Sequence, residues 1–371
     1  MSSLWASLRE DISLTDRLMI FCALVLSMWG VFCIYSAAAG SAGRGFDYAF
    51  RQSAWLIVSV IFMLIIMVVG HHKLLEGAYP LYGLMLLLLL LTLLAPKVNG
   101  AQSWLGFGGV RFQPSEFAKV AIILMMSKFL SRYPPLDFKT FLMCLGVIMV
   151  PVFLVLVQPD AGSALVYLVI SFGMLLAAGT PLKYLGGLMC IGLSAIPIMF
   201  MFVLKDYQKN RILVFIDPMR DPLGAGYNVI QSRIAVGSGG ISGKGFMLGT
   251  QSKLKFLPEP HTDFIFSVFS EEFGFIGDMI LIALFAVLLV RIILTGIRSR
   301  ERRCKILVAG VASWLWFQMF ESMGMSIGLM PVTGLPLPFL SYGGSSLLAI
   351  FMALGLVASI YIEGETSRHG F

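Results

Sequence analysis

The chain has 371 residues, 58% of them hydrophobic and only 13% charged, with a mean hydropathy of +0.88. That balance excludes a water-soluble globular protein, which carries about twice that share of charge, and leaves lipid as the solvent for most of the chain. The net charge of +7 and pI near 9.2 would suit nucleic acid, but the basic residues sit at the ends of apolar runs, where a membrane protein needs them, so no nucleic-acid partner is expected.

In chain order, residues 1–16 are polar and read as a cytoplasmic N-terminus. The first apolar run, Leu18 to Ala39, is too long for a signal-peptide core and is expected to stay as a transmembrane helix. Apolar runs separated by turn signals predict about ten helices in all: 17–39, 53–70, 78–95, 115–130, 141–158, 162–178, 184–204, 264–291, 305–328 and 340–362. The expected fold class is therefore an all-α polytopic membrane protein forming one membrane domain over residues 1–371. Cys22, Cys33, Cys144 and Cys190 lie inside apolar runs and Cys304 beside a basic loop, in no disulfide or metal-like spacing.

Charge sets the expected orientation. With the N-terminus inside, Arg17, Lys73, Lys128, Arg132, Lys139, Lys183 and the run from Arg298 to Lys305 fall on the cytoplasmic side, while the short outside loops keep few cations. The C-terminal tail, 363–371, then returns to the cytoplasm. Residues 205–262 become a large extracytoplasmic loop between the seventh and eighth helices, and polar loops of that length are usually functional. Within it, Tyr227 to Val236 is the best helical candidate.

The candidate chemistry gathers on that outer side. Asp263, in HTDFIFSV, stands where the polar loop meets the eighth helix and could act as a general base; equally, Thr262 or Asp263 could simply cap the helix. Glu116 and Lys119 in QPSEFAKV are three residues apart on one helix face, so they can pair, either as a structural ion pair or as the lining of a cavity. Asp160 in QPDAGS reads first as an N-cap. Glu271 and Glu272 diverge by about 100° on a helix, so they cannot share one cavity and at least one needs a polar partner of its own. Glu321 is a further charged intrusion. Arg111, Arg211, Arg233, Lys244, Lys253 and Lys255 offer cations for a diphosphate, and Gly239, Gly240, Gly243 and Gly245 could let backbone N–H groups approach it. GSGGISGKG lacks the context and spacing of a nucleotide-binding loop. No HExxH or similar metal cluster is visible; His71, His72, His261 and His369 are scattered, and His261 matters through its nearness to Asp263. MPVTGLPLPFLSYGGSS, between the last two helices, places non-helical backbone where it must be buried in protein or face a cavity.

The ordered set VRFQPSEFAKV, QPDAGSAL, DPLGAGYNVIQSRIAVGSGGISGKGF, GTQSKLKFLPEPHTDFIFSVFSEEFGFIG and GLPLPFLSYGGSS resembles the SEDS family of RodA, FtsW and SpoVE over about residues 15 to 360. AVGSGG and DPLGAGY look closer to RodA. The resemblance implies a membrane glycosyltransferase of the bacterial inner membrane that joins lipid II units into glycan strands during lateral wall elongation, with a class B penicillin-binding protein as partner. It makes Asp263 the essential carboxylate, Glu116 and Lys119 the cavity ion pair and Asp160 a further polar member. The sequence identifies no certain cofactor; the leaving diphosphate calls for Lys, Arg or a divalent cation such as Mg or Mn. Two other functions remain open at this point: a lipid II flippase, and a non-catalytic membrane scaffold for a transpeptidase.

Overall fold

The computed structural model describes residues 15–39, 44–95, 103–107, 110–202, 206–254 and 256–369. In chain order the elements are α1 (Arg17–Ala39), α2 (Gly45–Val69), α3 (His71–Glu76), α4 (Ala78–Thr92), strands β1 (Leu105–Phe107) and β2 (Val110–Phe112), α5 (Pro114–Arg132), α6 (Phe138–Val157), α7 (Ala161–Ala177) and α8 (Leu182–Phe202). Then follow α9 (Asp206–Ile216), a 3-10 turn (Pro218–Arg220), α10 (Ala225–Gly239), α11 (Thr250–Lys253), α12 (Ile265–Arg298), α13 (Arg302–Ile327) and α14 (Gly344–His369). A helix stands at each predicted place. Seven of them, α1, α2, α6, α8, α12, α13 and α14, are long and apolar enough to cross a membrane, and α4 and α7 are apolar but shorter. Helix α5 is the polar exception, since it carries Glu116, Lys119, Lys128 and Arg132.

Burial runs against the pattern of a water-soluble protein. Ile57, Ile61 and Ile65 form an exposed stripe along α2, whereas Gln52, Ser59, Glu116, Lys119, Gln318 and Glu321 are buried. Apolar surface facing outward around a polar interior is stable where the surroundings are hydrocarbon. At the centre lies α5, packed by α4, α7, α13 and α14; α13 also contacts α7, α10 and α12, and α14 lies along α2. Helix α8 is peripheral and mostly exposed.

Three boundaries differ from expectation for physical reasons. Helix α2 begins eight residues before the expected 53, because its polar first turns, with Asp47, Arg51 and Gln52, are invisible to a hydropathy reading. Helices α12 and α14 run on to Arg298 and His369, past the expected 291 and 362; in α14 a polar terminal stretch from Glu363 continues the helix, and in α12 the apolar run itself extends from Ile292 to Ile297. The short antiparallel hairpin of β1 and β2, with Leu105 opposite Phe112, was not anticipated by apolar periodicity.

The glycine-rich stretch has an architectural role. Helix α12 is broken at Gly274, whose φ of 65° and ψ of −168° interrupt the ladder. The freed backbone groups are met by the segment after α10: Lys244 N–H donates to Glu271 O (3.0 Å) and Gly245 N–H to Glu272 O (3.0 Å), while Phe275 N–H donates to Gly240 O (2.9 Å) and Ile276 N–H to Ile241 O (3.1 Å). A Cβ at Gly239 would lie 2.0 Å from Ser270 O, and one at Gly243 2.1 Å from Glu272 O. Close main-chain approach is what these positions require. Here it serves the protein's own broken helix, and Gly240 and Gly245 give it a carbonyl and an N–H in place of the expected approach to a diphosphate.

Candidate functional site

Asp263 sits in the turn that leads into α12. The N-cap of that helix is Phe264, one residue later, and it has no side-chain cap bond. The turn is clamped instead to the segment between α13 and α14. Tyr342 N–H donates to His261 O (2.9 Å), and the Ser341 hydroxyl donates to Thr262 O (2.7 Å) while accepting from Leu337 N–H (2.8 Å). Gln52 of α2 grips the same segment from its other side, donating to Ser341 O (3.3 Å) and accepting from Gly343 N–H (3.2 Å). The Pro- and Gly-rich backbone from Leu337 to Ser341 is thus buried in protein and held by hydrogen bonds, which is the condition for non-helical chain in such a bundle, while Gly334 is exposed.

The Asp263 carboxylate faces Gly334, where a Cβ would stand 3.6 Å from its Oδ2, and it interacts electrostatically with Glu321 of α13. Glu321 accepts a hydrogen bond from the Thr333 hydroxyl, and its Oε2 is buried without a hydrogen-bond partner. Deeper in, Lys119 Nζ binds Glu116 Oε1 at 2.6 Å and Gln318 Oε1 at 3.3 Å, and lies 5.1 Å from the centre of the Trp314 ring. Trp314 Nε1 donates to the same Gln318 oxygen (2.7 Å), and the Gln318 amide donates to Pro336 O (2.8 Å). A continuous polar chain therefore runs from the buried ion pair through Gln318 to the 333–342 segment that holds the Asp263 turn. Paired through Oε1, the two charges withstand burial that either alone would not, while Glu116 Oε2 is buried without a hydrogen-bond partner.

Asp160 caps α7, accepting from Ser163 N–H (3.0 Å) and the Ser163 hydroxyl (2.8 Å). Burial pushes its carboxyl above the usual range, opposed by those two bonds and by the field of Lys119. The first turn of α7 packs against the same segment, since a Cβ at Gly162 would lie 3.2 Å from Thr333 O. Asp263, Glu321, Asp160, Glu116 and Lys119 thus converge on one end of the bundle. The His261 ring stacks near Tyr48 (4.6 Å) and Tyr342 (5.8 Å), and burial holds its pKa below the ordinary value.

Other candidates are engaged elsewhere. Lys244 Nζ pairs with Glu271 at 2.6 Å, and Glu271 also accepts from Thr250 N–H (2.8 Å), the Thr250 hydroxyl (2.9 Å) and Gln251 N–H (3.2 Å). This carboxylate anchors the loop to α12. Glu272 points the other way, to Ser36 of α1, as the helical divergence requires. Arg233 donates to Gly328 O (3.1 Å). The side chains of Arg111 and Arg211, and Lys255 altogether, lie outside the described residues.

Gln318, Trp314, Thr333 and Gln52 are site-forming residues that sequence reasoning did not single out. A glutamine inside each of two apolar helices was the available signal. Arg51, on the exposed side of α2, hydrogen-bonds Tyr342 and places a cation at the rim. Chemically, the site offers one carboxylate on a rigid turn, a second carboxylate with an unused oxygen, and a fixed ammonium behind them. Asp263 and Glu321 would suit a divalent cation whose remaining ligands came from a diphosphate.

Fold and site together define a class: an all-α, multi-pass membrane protein with a buried polar network opening at one end of its bundle. The profile of the cell cycle protein family of FtsW, RodA and SpoVE matches residues 16–366, and the chain belongs to that family. It is 37% identical over 350 residues to the peptidoglycan glycosyltransferase MrdB of Escherichia coli strain K12, covering 93% of each chain. Among solved structures it resembles a chain from a peptidoglycan synthase complex that coordinates polymerization and crosslinking, with TM-score 0.81, 33% identity and coverage of 94% and 98%. It also resembles the rod shape determining protein RodA of Thermus thermophilus, with TM-score 0.70, 30% identity and coverage of 94% and 96%.

Proposed function

We propose that the chain is a peptidoglycan glycosyltransferase that polymerises lipid II into glycan strands for lateral wall elongation, in complex with a class B penicillin-binding protein. It would lie in the bacterial cytoplasmic membrane with ten spans, both termini and the Arg298–Lys305 run inside, and residues 205–262 outside. The observation that carries this reading is the placement of Asp263 on a turn fixed by main-chain bonds at the loop-bearing end of the bundle. The names of the relatives agree with it: MrdB is a peptidoglycan glycosyltransferase, and the synthase complex couples polymerization to crosslinking.

In this reading Asp263 accepts the proton of the acceptor sugar's 4-hydroxyl as that oxygen attacks the anomeric carbon of the donor. The C–O bond to the lipid diphosphate breaks, the electron pair leaves with the phosphate, and the anomeric centre inverts. Lys119, held by Glu116, Gln318 and Trp314, positions the segment behind the turn and places a fixed positive charge behind the carboxylates. The membrane confines both lipid-tailed reactants to the depth of the site, which shortens the positional search.

The test is glycan synthesis from lipid II by the purified chain with its transpeptidase in detergent. Asp263→Asn keeps the size of the side chain and removes the base, and should lower polymer formation by about 10²–10⁴-fold. A variant that is folded, partner-bound and fully active would remove Asp263 as the base. A flippase or a scaffold makes no polymer in detergent, where there are no two sides to connect, so wild-type synthesis separates those readings from catalysis.

A further inference from the structure

At the end of the bundle opposite Asp263, a second cluster of chemistry-bearing side chains has no part in that reaction. His71 and His72 open α3, Glu301 and Cys304 stand at the start of α13, and Glu363 comes from the last turns of α14. His71 Nε2 lies 3.0 Å from Glu363 Oε2, and His72 Nε2 lies 2.9 Å from the same oxygen. The donor atoms of His71, His72 and Glu363 all fall within 4.8 Å of one another, as do those of His71, Glu301 and Cys304. His71 belongs to both sets.

His71 is 1% exposed, yet its Nε2 makes no hydrogen bond despite its closeness to Glu363. Its other nitrogen, Nδ1, is 3.0 Å from the Ser359 hydroxyl, the kind of outer contact that fixes a ligating imidazole with its remaining nitrogen aimed at a cation. Glu363, His72 and Glu301 are partly open to water, which gives an ion a way in.

We propose that this cluster is a binding site for a divalent transition-metal cation of the zinc class. His71 Nε2 and Glu363, from the first set, form its core; Glu301 and Cys304, which group with His71 in the second set and not with Glu363, complete it by moving inward as the ion binds, and His72 is an alternate ligand. Mixed nitrogen, oxygen and sulfur donors suit such a cation better than magnesium or calcium, which take oxygen. Tetrahedral bonds of about 2.0–2.3 Å put ligand atoms roughly 3.4 Å apart, so the 3.0 Å approach of His71 and Glu363 needs to open by only a few tenths of an ångström. The thiol proton of Cys304 would be released to solvent as the thiolate binds. Arg303, which contacts both His72 Nδ1 (2.9 Å) and Glu301 (2.6 Å), is the competing cation and would have to swing outward. Its competition makes His72 the weakest of the five. Bound metal would bolt α3 to the adjoining ends of α13 and α14.

The experiment is Zn²⁺ and Co²⁺ titration of the purified, chelator-stripped full chain in detergent, read by metal content, thermal unfolding and, for Co²⁺, visible absorption. Expected are one equivalent retained, a raised unfolding temperature, tetrahedral cobalt bands and a thiolate-to-cobalt band that Cys304→Ser abolishes. Glu363→Gln should weaken binding at least tenfold, and His71→Asn should do the same; because His71 is buried, the exposed Glu363→Gln variant serves as the folded control. Retention of less than a tenth of an equivalent, or binding unchanged in both Glu363→Gln and Cys304→Ser, would overturn the proposal. So would octahedral cobalt bands in the wild-type chain.

Discussion

Replacing Gly274 by alanine tests why the loop before α12 is rich in glycine. At φ 65° and ψ −168° the backbone occupies a region nearly reserved for glycine, at a cost of about 1–3 kcal/mol for another residue. The new Cβ would also stand 2.2 Å from Gly243 N and 2.8 Å from Ile241 O, both main-chain atoms that cannot rotate away. Relief of that clash separates the loop from the broken helix and loosens four hydrogen bonds, each with a net value of about 1 kcal/mol. Together these give an expected loss of roughly 5–7 kcal/mol. Gly237→Ala is the matched control: it lies inside α10, has nothing within 4 Å of a new Cβ, and should gain about 0.5–1 kcal/mol. Thermal unfolding of both variants in one detergent supplies the comparison, with limited proteolysis of the 240–255 region as a local probe. If Gly274→Ala melts alongside Gly237→Ala and resists protease equally, the docking account is refuted.

Lys119→Met leaves Glu116 charged and buried, and is expected to cost about 3–5 kcal/mol, whereas the double variant with Glu116→Gln should recover most of that loss in thermal unfolding. Glycan synthesis should stay low in the double variant, because Gln318 has lost the ammonium that orients it; recovery of synthesis along with stability would make the pair purely structural. Asp160→Ala should cost about 1 kcal/mol through loss of the α7 cap, while Asp160→Asn keeps a capping oxygen. Because burial raises the Asp160 pKa, its favourable contribution is full below the unfolded value of 3.8 and fades as pH rises through the folded one. The wild type should therefore lose unfolding temperature relative to Asp160→Asn as pH rises above the unfolded value of 3.8, and parallel curves would contradict this.

The helices were legible because lipid imposes one rule, long apolar runs, over most of the chain. The candidate carboxylates were legible for the complementary reason, that charge inside such runs must be paired: Glu116 with Lys119, Glu271 with Lys244, Glu321 with Thr333. What stayed hidden was which partner each group takes across the fold. Lys244 has the composition of a phosphate ligand and serves Glu271, 27 residues away. The cap reading of Asp263 could not be resolved in sequence, because it turns on a one-residue shift that puts the N-cap at Phe264. Gln318 and Gln52 carry no charge and no motif, and their importance comes from bonds to Pro336 and to Ser341 and Gly343 that only the tertiary path of the 330–343 segment creates.

The anchoring of the turn that carries Asp263 has an evolutionary corollary. His261 and Thr262 hold their places through carbonyl oxygens, which every amino acid supplies, so tethering imposes no choice of imidazole or hydroxyl at these two sites. Selection for a particular side chain there would have to come from whatever lodges beside Asp263. A saturation library at 261 and 262, scored separately for expression and for turnover, would therefore be permissive in the first score and restrictive in the second.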